Sequence, residues 1–238
     1  MKILALLTIL LSFNTYSFIN IESLRKNSKP GLNTSGKILF NQQAGNTEKI
    51  LGSASTLNSY LDGIHEYILT GNIRYGESFG EKDTDDGSIH LRYTREIVRP
   101  HFLETYIQHQ YNKFQALTSR NLAGLGYRFS NKYFNFGVGA FHEEESIIDR
   151  PEENGLRGNI YLSHSEKTES GFEFSTILYV QPSMARGNDT RTTFNAGISQ
   201  NITKSMALVV EYQNVYDQRP PEDIKTYDAS LMFGLTFK

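Results

Sequence analysis

A strict alternation of residue types over positions 227–238 constrains the fold of this chain more than any other feature. Apolar or aromatic side chains occupy every second position, and mostly polar or small ones lie between them, in the run Tyr227-Asp-Ala-Ser-Leu-Met-Phe-Gly-Leu-Thr-Phe-Lys238. Successive side chains of a β-strand point to opposite faces, so the segment predicts a strand with one apolar face. In a soluble sandwich that face contacts the core, whereas in a membrane barrel it contacts lipid. Alternation alone does not distinguish these two environments.

The same alternation recurs along the rest of the chain, with turn-forming residues between the segments. It is clearest over 89–94, 103–112, 123–129, 134–143, 172–181, 194–199 and 206–213. Weaker examples cover 36–45, 49–61, 64–75 and 157–165. We therefore predict about 12 strands.

The links between these segments alternate in length. Short links at 62–63, 99–101, 131–132, 167–171 and 203–204 alternate with longer polar segments at 77–87, 147–156, 184–190 and 219–226. Short turns at one end and longer loops at the other are typical of outer-membrane barrels. Lipid offers backbone groups no hydrogen-bond partner, so strands at membrane depth must close on themselves. We predict an all-β fold, a single antiparallel up-and-down transmembrane β-barrel in which the last strand pairs with the first near residues 37–43.

The N-terminus has the features of an export signal. Lys2 precedes an apolar run over residues 3–13, and Thr15-Tyr16-Ser17 resembles a small-x-small cleavage site. A spanning helix needs about 20 apolar residues, so a membrane anchor is the weaker interpretation. We predict a cleaved signal peptide at 1–17 and a barrel domain at 18–238 in the outer membrane. Its expected partners are outer-membrane lipid, lipopolysaccharide and, during biogenesis, the barrel-assembly machinery, which reads a terminal aromatic strand; here Phe237 is penultimate.

Composition excludes several other classes of function. The formal net charge is −2 and no basic stripe stands out, so nucleic-acid binding is not expected. The chain has no cysteine, which excludes disulfides, thiolate metal sites and a cysteine nucleophile. We predict no cofactor.

Polar and charged side chains on the inward faces of the strands are the candidate functional residues. The candidate lumen-lining residues are Glu104, Gln108, Gln110, Arg120, Arg128, Glu143, Arg157, Glu173, Arg191 and Glu211. They are expected to form an ion-pair network that fixes the barrel, with a selectivity ring as the alternative. Arg120 and Arg191 are expected near the outer ends of their strands.

Catalytic and metal-binding interpretations are weaker. His164 lies between Ser163 and Ser165, but neighbouring strand residues point to opposite faces and cannot form a dyad. The acidic runs at 143–145 and 83–86 could hold a divalent cation in outer loops, although such runs are more often solvated loop charges. We therefore predict no catalytic residue and no metal site.

Several runs along the chain resemble one known family. They are Tyr106-Ile-Gln-His-Gln-Tyr-Asn-Lys-Phe-Gln-Ala-Leu-Thr-Ser-Arg120-Asn-Leu-Ala-Gly-Leu-Gly-Tyr-Arg128, Ile21 to Arg25, Gly45-Asn46, Gly137 to Phe141 with Glu143-Glu144, Tyr179 to Pro182 with Asp189-Thr-Arg191, and Arg219-Pro-Pro-Glu222. In order and spacing they are similar to the salt-induced outer-membrane proteins, the YdiY-like family catalogued as a domain of unknown function. The resemblance implies an outer-membrane β-barrel and carries over no catalytic residue.

Three functions remain open on the sequence alone. The first is a structural or envelope-stress role with a plugged lumen. The second is a narrow channel for ions or small solutes, and the third, less favoured, is a lipid-modifying enzyme. A soluble periplasmic barrel is the main structural alternative.

Overall fold

A computed structural model describes residues 30–46, 48–221 and 224–237, so the predicted signal peptide lies outside the described residues. Twelve strands account for most of the described chain. They are β1 (Gly31–Gln43), β2 (Lys49–Asp62), β3 (His65–Ser78), β4 (Glu81–Val98), β5 (His101–Asn112), β6 (Leu117–Ser130), β7 (Asn135–Ile147), β8 (Glu153–Lys167), β9 (Phe172–Pro182), β10 (Thr190–Asn201), β11 (Met206–Asp217) and β12 (Tyr227–Phe237). A short 3-10 turn at Lys113–Gln115 follows β5. No helical segment within the described ranges has the length and apolar character that a membrane crossing requires.

Every strand pairs with its neighbours in sequence, and β1 pairs with β12 to close the sheet. All of the pairings are antiparallel. The closing ladder joins Gly36–Phe40 to Phe233–Phe237, as predicted from the final strand. The predicted up-and-down barrel of twelve strands is therefore confirmed.

The two ends of the barrel differ in their links. The end that carries links 44–48, 79–80, 113–116, 148–152, 183–189 and 218–226 is called the loop end here. The opposite end carries links 63–64, 99–100, 131–134, 168–171 and 202–205 together with the start of β1 and the close of β12, and is called the terminus end. The longest links, 183–189 and 218–226, both lie at the loop end.

One predicted long link is wrong. The sequence predicts a loop over 77–87, but only Phe79 and Gly80 connect β3 to β4. Both have positive φ, 52° and 78°, as in the tight two-residue turns that suit the twist of antiparallel strands. The acidic residues that suggested a loop lie within β4, because Asp83 and Asp86 pair with cationic side chains inside the barrel. Charge content alone is therefore a poor guide to strand ends in this wall.

Apolar side chains face outward and polar side chains face inward. The exposed large apolar residues alternate along the strands, as Leu69 and Ile73 do in β3, while the buried set is dominated by polar and charged residues. A soluble protein has the reverse arrangement, since it buries apolar surface and exposes charge. The wall is thus built for an apolar environment outside and a polar filling inside.

Inward glycines let aromatic rings and strands approach closely. A Cβ at Gly137 would lie 2.0 Å from the ring of Tyr161, which fills the lumen beside it. A Cβ at Gly234 would lie 1.9 Å from the backbone oxygen of Ile38, across the closing ladder. At Gly234, where β12 pairs with β1 to close the barrel, there is therefore no room for a side chain.

Candidate functional site

All ten predicted site residues occupy inward positions of their strands. Those that are buried are Glu104, Gln110, Arg120, Arg128, Glu143 and Arg157. Those that are half-buried are Gln108, Glu173, Arg191 and Glu211. The structure brings four of them into one cluster and distributes the others along the lumen.

That cluster is centred on Glu143 and is called the Glu143 hub. Arg120 on β6 and Arg157 on β8 each donate from Nε to the Glu143 carboxylate. Arg191 on β10 donates from Nη1 to the same carboxylate at 2.6 Å. Because β10 and β7 are not neighbours, the Arg191 bond crosses the lumen near the loop end. One buried carboxylate thus ties three strands to β7.

Further carboxylates pair with the arginines of the hub. Arg157 Nη2 donates to Asp189 at 2.7 Å, and Arg191 donates to Asp217 and to Glu145, both at 2.8 Å. Arg186 in the link 183–189 lies 3.0 Å from Asp189. Arg186 also lies 2.7 Å from Glu153, so with these additions the hub holds four guanidinium groups and five carboxylates. Opposite charges at hydrogen-bond distance offset the cost of burying each one.

Sequence reasoning missed the outer carboxylates of the hub for different reasons. Glu145 and Asp217 have the inward position of the alternating pattern and could have been found from it. Asp189 lies in a link, where no period applies, so only the resemblance to Asp189-Thr-Arg191 marked it.

A second cluster surrounds Glu104 toward the terminus end. Tyr161 on β8 donates its hydroxyl to Glu104 at 2.9 Å, while Arg92 and Arg128 lie 3.7 and 3.6 Å from the same carboxylate. The guanidinium of Arg128 lies 4.7 Å above the ring of Phe102. The contact from β8 to β5 again crosses the lumen.

Three of the other predicted residues form local pairs. Gln108 donates to Gln110 at 2.6 Å and contacts His90 at 2.9 Å. Glu211 accepts a hydrogen bond from Lys37. Glu173 lies opposite Lys167 and Ser199 near the terminus end.

Charged and polar groups outside the predicted lumen-lining set fill the remaining part of the loop end. Arg74 pairs with Asp86 through two parallel hydrogen bonds, at 2.9 and 2.8 Å, and Lys49 pairs with Asp83 at 2.7 Å. Gln115 lies in the link between β5 and β6, is 2% exposed and donates to Asp228 on β12 at 2.5 Å. Those two elements lie on opposite sides of the ring of strands, so this bond also crosses the lumen.

The acidic runs are not loop charges, and that expectation is wrong. Residues 143–145 lie in β7 and residues 83–86 lie in β4. Glu143 and Asp86 point inward to arginine partners, whereas Glu144 points outward. In the described part of the chain, no group of three or more histidine or acidic side chains is placed to hold a metal ion.

The tripeptide around His164 diverges as the strand pattern requires. Ser163 and Ser165 are buried on the inward face, and the His164 ring contacts the backbone oxygen of Tyr133 on the other face. The serines and the histidine are therefore separated by the barrel wall.

Two cavities between the described side chains lie beside predicted site residues. One of about 70 Å³ lies between β1–β3 and β10–β12, beside Lys37 and Glu211. The other, about 210 Å³, opens at the terminus end between Glu66, Glu96 and Arg128. Each is small beside a pocket for a drug-sized ligand, which takes about 300–1,000 Å³.

Comparison with solved structures relates the fold to porins. The NanC porin matches with a TM-score of 0.52 and 11% identity, over 86% of this chain and 98% of the porin. The KdgM porin matches with a TM-score of 0.51 and 10% identity, over 86% of this chain and 98% of that one. At such low identity the likeness concerns the fold alone. No curated protein matches the sequence.

The residues that carried the sequence resemblance meet in space. Arg120, Glu143, Asp189 and Arg191 come from three of the resembling runs, and all four lie in the hub. The model of one family, described as "Protein of unknown function, DUF481", matches residues 39–238. The predicted resemblance is thereby confirmed, and the chain belongs to the DUF481 family.

Proposed function

We propose that this protein is an outer-membrane barrel with a structural role in the cell envelope, and that its own side chains close its lumen. The observation that carries the proposal is the Glu143 hub, in which Arg120, Arg157 and Arg191 converge on one buried carboxylate. A pore that passes solutes needs an open path, whereas here the loop end is crossed by charge pairs.

The outer wall supports a location in a membrane. On β3, outward Tyr67 and Tyr75 flank the exposed residues Leu69 and Ile73. Eight residues of strand cover about 27 Å, or about 20 Å along the barrel axis at the usual tilt. This resembles the apolar band between aromatic girdles in outer-membrane barrels. A soluble monomer rarely exposes apolar surface on this scale.

The buried charges support a persistently closed lumen. Arg120, Arg157 and Glu143 have at most 8% of their side-chain surface exposed. Removing one partner of a buried pair leaves an uncompensated charge at a cost of about 3–5 kcal/mol, so separating the charges of the network is costly. The Gln115–Asp228 contact blocks the same end from another direction.

Membrane location is tested on the full-length protein expressed in a Gram-negative host. We expect resistance to sarkosyl extraction and a gel mobility that changes on heating. N-terminal sequencing of the mature protein tests cleavage after Ser17. Extraction into sarkosyl with unchanged mobility would contradict the membrane location.

Lumen closure is tested by electrical recording in planar bilayers. We expect no discrete steady conductance from the wild-type protein and channel openings from the double variant Arg120→Ala/Arg191→Ala, which removes two of the three donors to Glu143. Glu144→Ala, on the outward face, is the matched control and should stay silent. Steady wild-type conductance would overturn the closed lumen.

A narrow channel is the second candidate, favoured by the cavity beside Lys37 and Glu211 and by the porin-like fold. It predicts wild-type conductance that changes with Glu104→Ala or Arg120→Ala. The same recordings therefore distinguish the two functions.

A further inference from the structure

The ladder that closes the barrel is short. Strands β1 and β12 pair only over Gly36–Phe40 and Phe233–Phe237, which is the shortest register between neighbouring strands of the described chain. The next shortest, between β8 and β9, pairs Ile160–Lys167 with Glu173–Val180. This closing ladder is called the seam.

Toward the loop end the two strands continue side by side beyond the seam. Asn41 follows the last paired residue of β1, and its side-chain amide donates to the backbone oxygen of Leu231 at 3.0 Å. Here a side chain makes the hydrogen bond between β1 and β12 that backbone groups make within the seam. A side chain can rotate away without breaking a ladder, so this stretch parts more easily than the seam below it.

Behind this stretch the otherwise polar lumen carries an apolar patch. Leu39, Leu51, Val209 and Met232 form a cluster of buried side chains, called the seam cluster, on the four strands that flank the seam. Leu39 and Val209 lie in register with Gly234 from either side, and Gly234 contributes no side chain between them. The cavity of about 70 Å³ borders Leu39 and Met232.

We propose that the wall beyond the seam parts to admit an acyl chain of an outer-membrane lipid, whose end lies in the lumen against the seam cluster. The inference rests on the proposed membrane location and goes beyond the structural role. Outside the wall, Phe40 and Phe233 at the edge of the gap are 48% and 52% exposed, so in a membrane a lipid chain is the molecule present there at the highest concentration. Inside the gap lies the seam cluster, which an acyl chain matches chemically and a hydrated ion does not.

The size of the cavity limits what enters. An apolar cavity of about 150 Å³ admits benzene, whereas this one has about half that volume and is lined by apolar and polar side chains together. It therefore fits the end of a chain rather than a whole lipid. The charged side chains that line it are each paired: Lys37 with Glu211, and Arg74 with Asp86. The headgroup accordingly stays outside the wall.

The chain has no tryptophan and no cysteine, which permits a clean test with single engineered tryptophans. Met232→Trp places the probe in the seam cluster, and Val209→Trp replaces it if that variant does not fold. Thr236→Trp is the matched control, because Thr236 points inward on the same strand where the seam ladder is complete. Ile73→Trp, at an outward position that is 62% exposed, reports lipid contact. Each variant is reconstituted in phosphatidylcholine with either brominated or ordinary acyl chains.

We expect brominated chains to quench Met232→Trp nearly as strongly as Ile73→Trp, and Thr236→Trp far less. A disulfide between Gln42→Cys and Leu231→Cys, which continues the ladder beyond Phe40 and Phe233, should abolish the quenching of Met232→Trp until it is reduced. Equal, weak quenching of Met232→Trp and Thr236→Trp alongside a quenched Ile73→Trp would overturn the inference and leave the membrane location intact. An unquenched Ile73→Trp would instead contradict the membrane location.

Discussion

The Glu143 hub and the seam cluster fill one lumen by opposite means. The hub joins side chains from β6 to β11 through ion pairs and hydrogen bonds. The seam cluster joins β11, β12, β1 and β2 through apolar contact. The stability of the hub depends on the direction and distance of its hydrogen bonds. The stability of the seam cluster depends on how well its side chains fill the available volume.

The difference shows how one barrel wall can be rigid in the strands that carry the hub and adaptable in the strands that carry the seam cluster. A buried charge without its partner is costly, so the hub tolerates little displacement. Apolar contacts are not directional, and a side chain such as Met232 adapts its shape to its neighbours. The short seam lies in the adaptable arc. Four substitutions test this contrast, in order of expected effect.

Glu143→Ala is expected to have the largest effect. It leaves Arg120, Arg157 and Arg191 without their shared carboxylate, and the expected loss is about 3–5 kcal/mol in the free energy of unfolding. Urea titration in detergent micelles measures it. Glu144→Ala, one residue along on the outward face, should change little. Equal stability of the two variants would show that the hub does not hold the barrel.

Gly234→Ala tests the seam by adding volume. The new Cβ would meet the Ile38 oxygen, so the strands must separate, at a cost of about 1–3 kcal/mol. Gly36→Ala is the matched control in the same ladder, because its Cβ would lie 3.9 Å from the nearest atom. Hydrogen exchange should quicken at the amides of residues 36–40 in the first variant alone. Unchanged exchange there would refute the close approach.

Gln115→Ala removes a single cross-lumen hydrogen bond. We expect a loss of about 1 kcal/mol, because the Asp228 carboxylate keeps its burial but loses this donor. Lys113→Ala, in the same turn but exposed, serves as the comparison. The midpoint of thermal unfolding, followed by gel mobility, measures the stability of both variants. A greater loss from Lys113→Ala would mean that the turn is held from outside the lumen.

Lys82→Ala is expected to have the smallest effect. Lys82 pairs with Asp85 on the surface, where solvent screens the charges and side-chain entropy opposes the contact. The urea midpoint should match that of the wild-type protein. A clear shift would mean that surface pairs contribute to stability as the hub does.

The architecture could be predicted from the sequence because alternation reports which face each residue takes. The pattern over 227–238 predicted β12 and its pairing with β1, and both were found. It failed at 77–87, because acidic residues indicate a loop only when no buried cation is near, and Lys49 and Arg74 are distant in sequence.

The site was less accessible to prediction. Alternation places Glu143, Arg157 and Arg191 on the inward face, but it does not show which strands face each other across the lumen. The sequence pattern did not predict the seam cluster because Leu39 and Met232 are apolar residues on faces that are otherwise polar. In a two-residue alternation such positions look like exceptions with no structural meaning.

The hub also discriminates between strand registers during assembly. If β10 slipped by one residue, Arg191 would turn outward and bring its charge into lipid. A slip of two residues would restore the face but carry the guanidinium about 7 Å along the strand, beyond reach of Glu143. Only one alignment of β10 satisfies both requirements. The charges that cross the lumen thus also select the one correctly paired sheet.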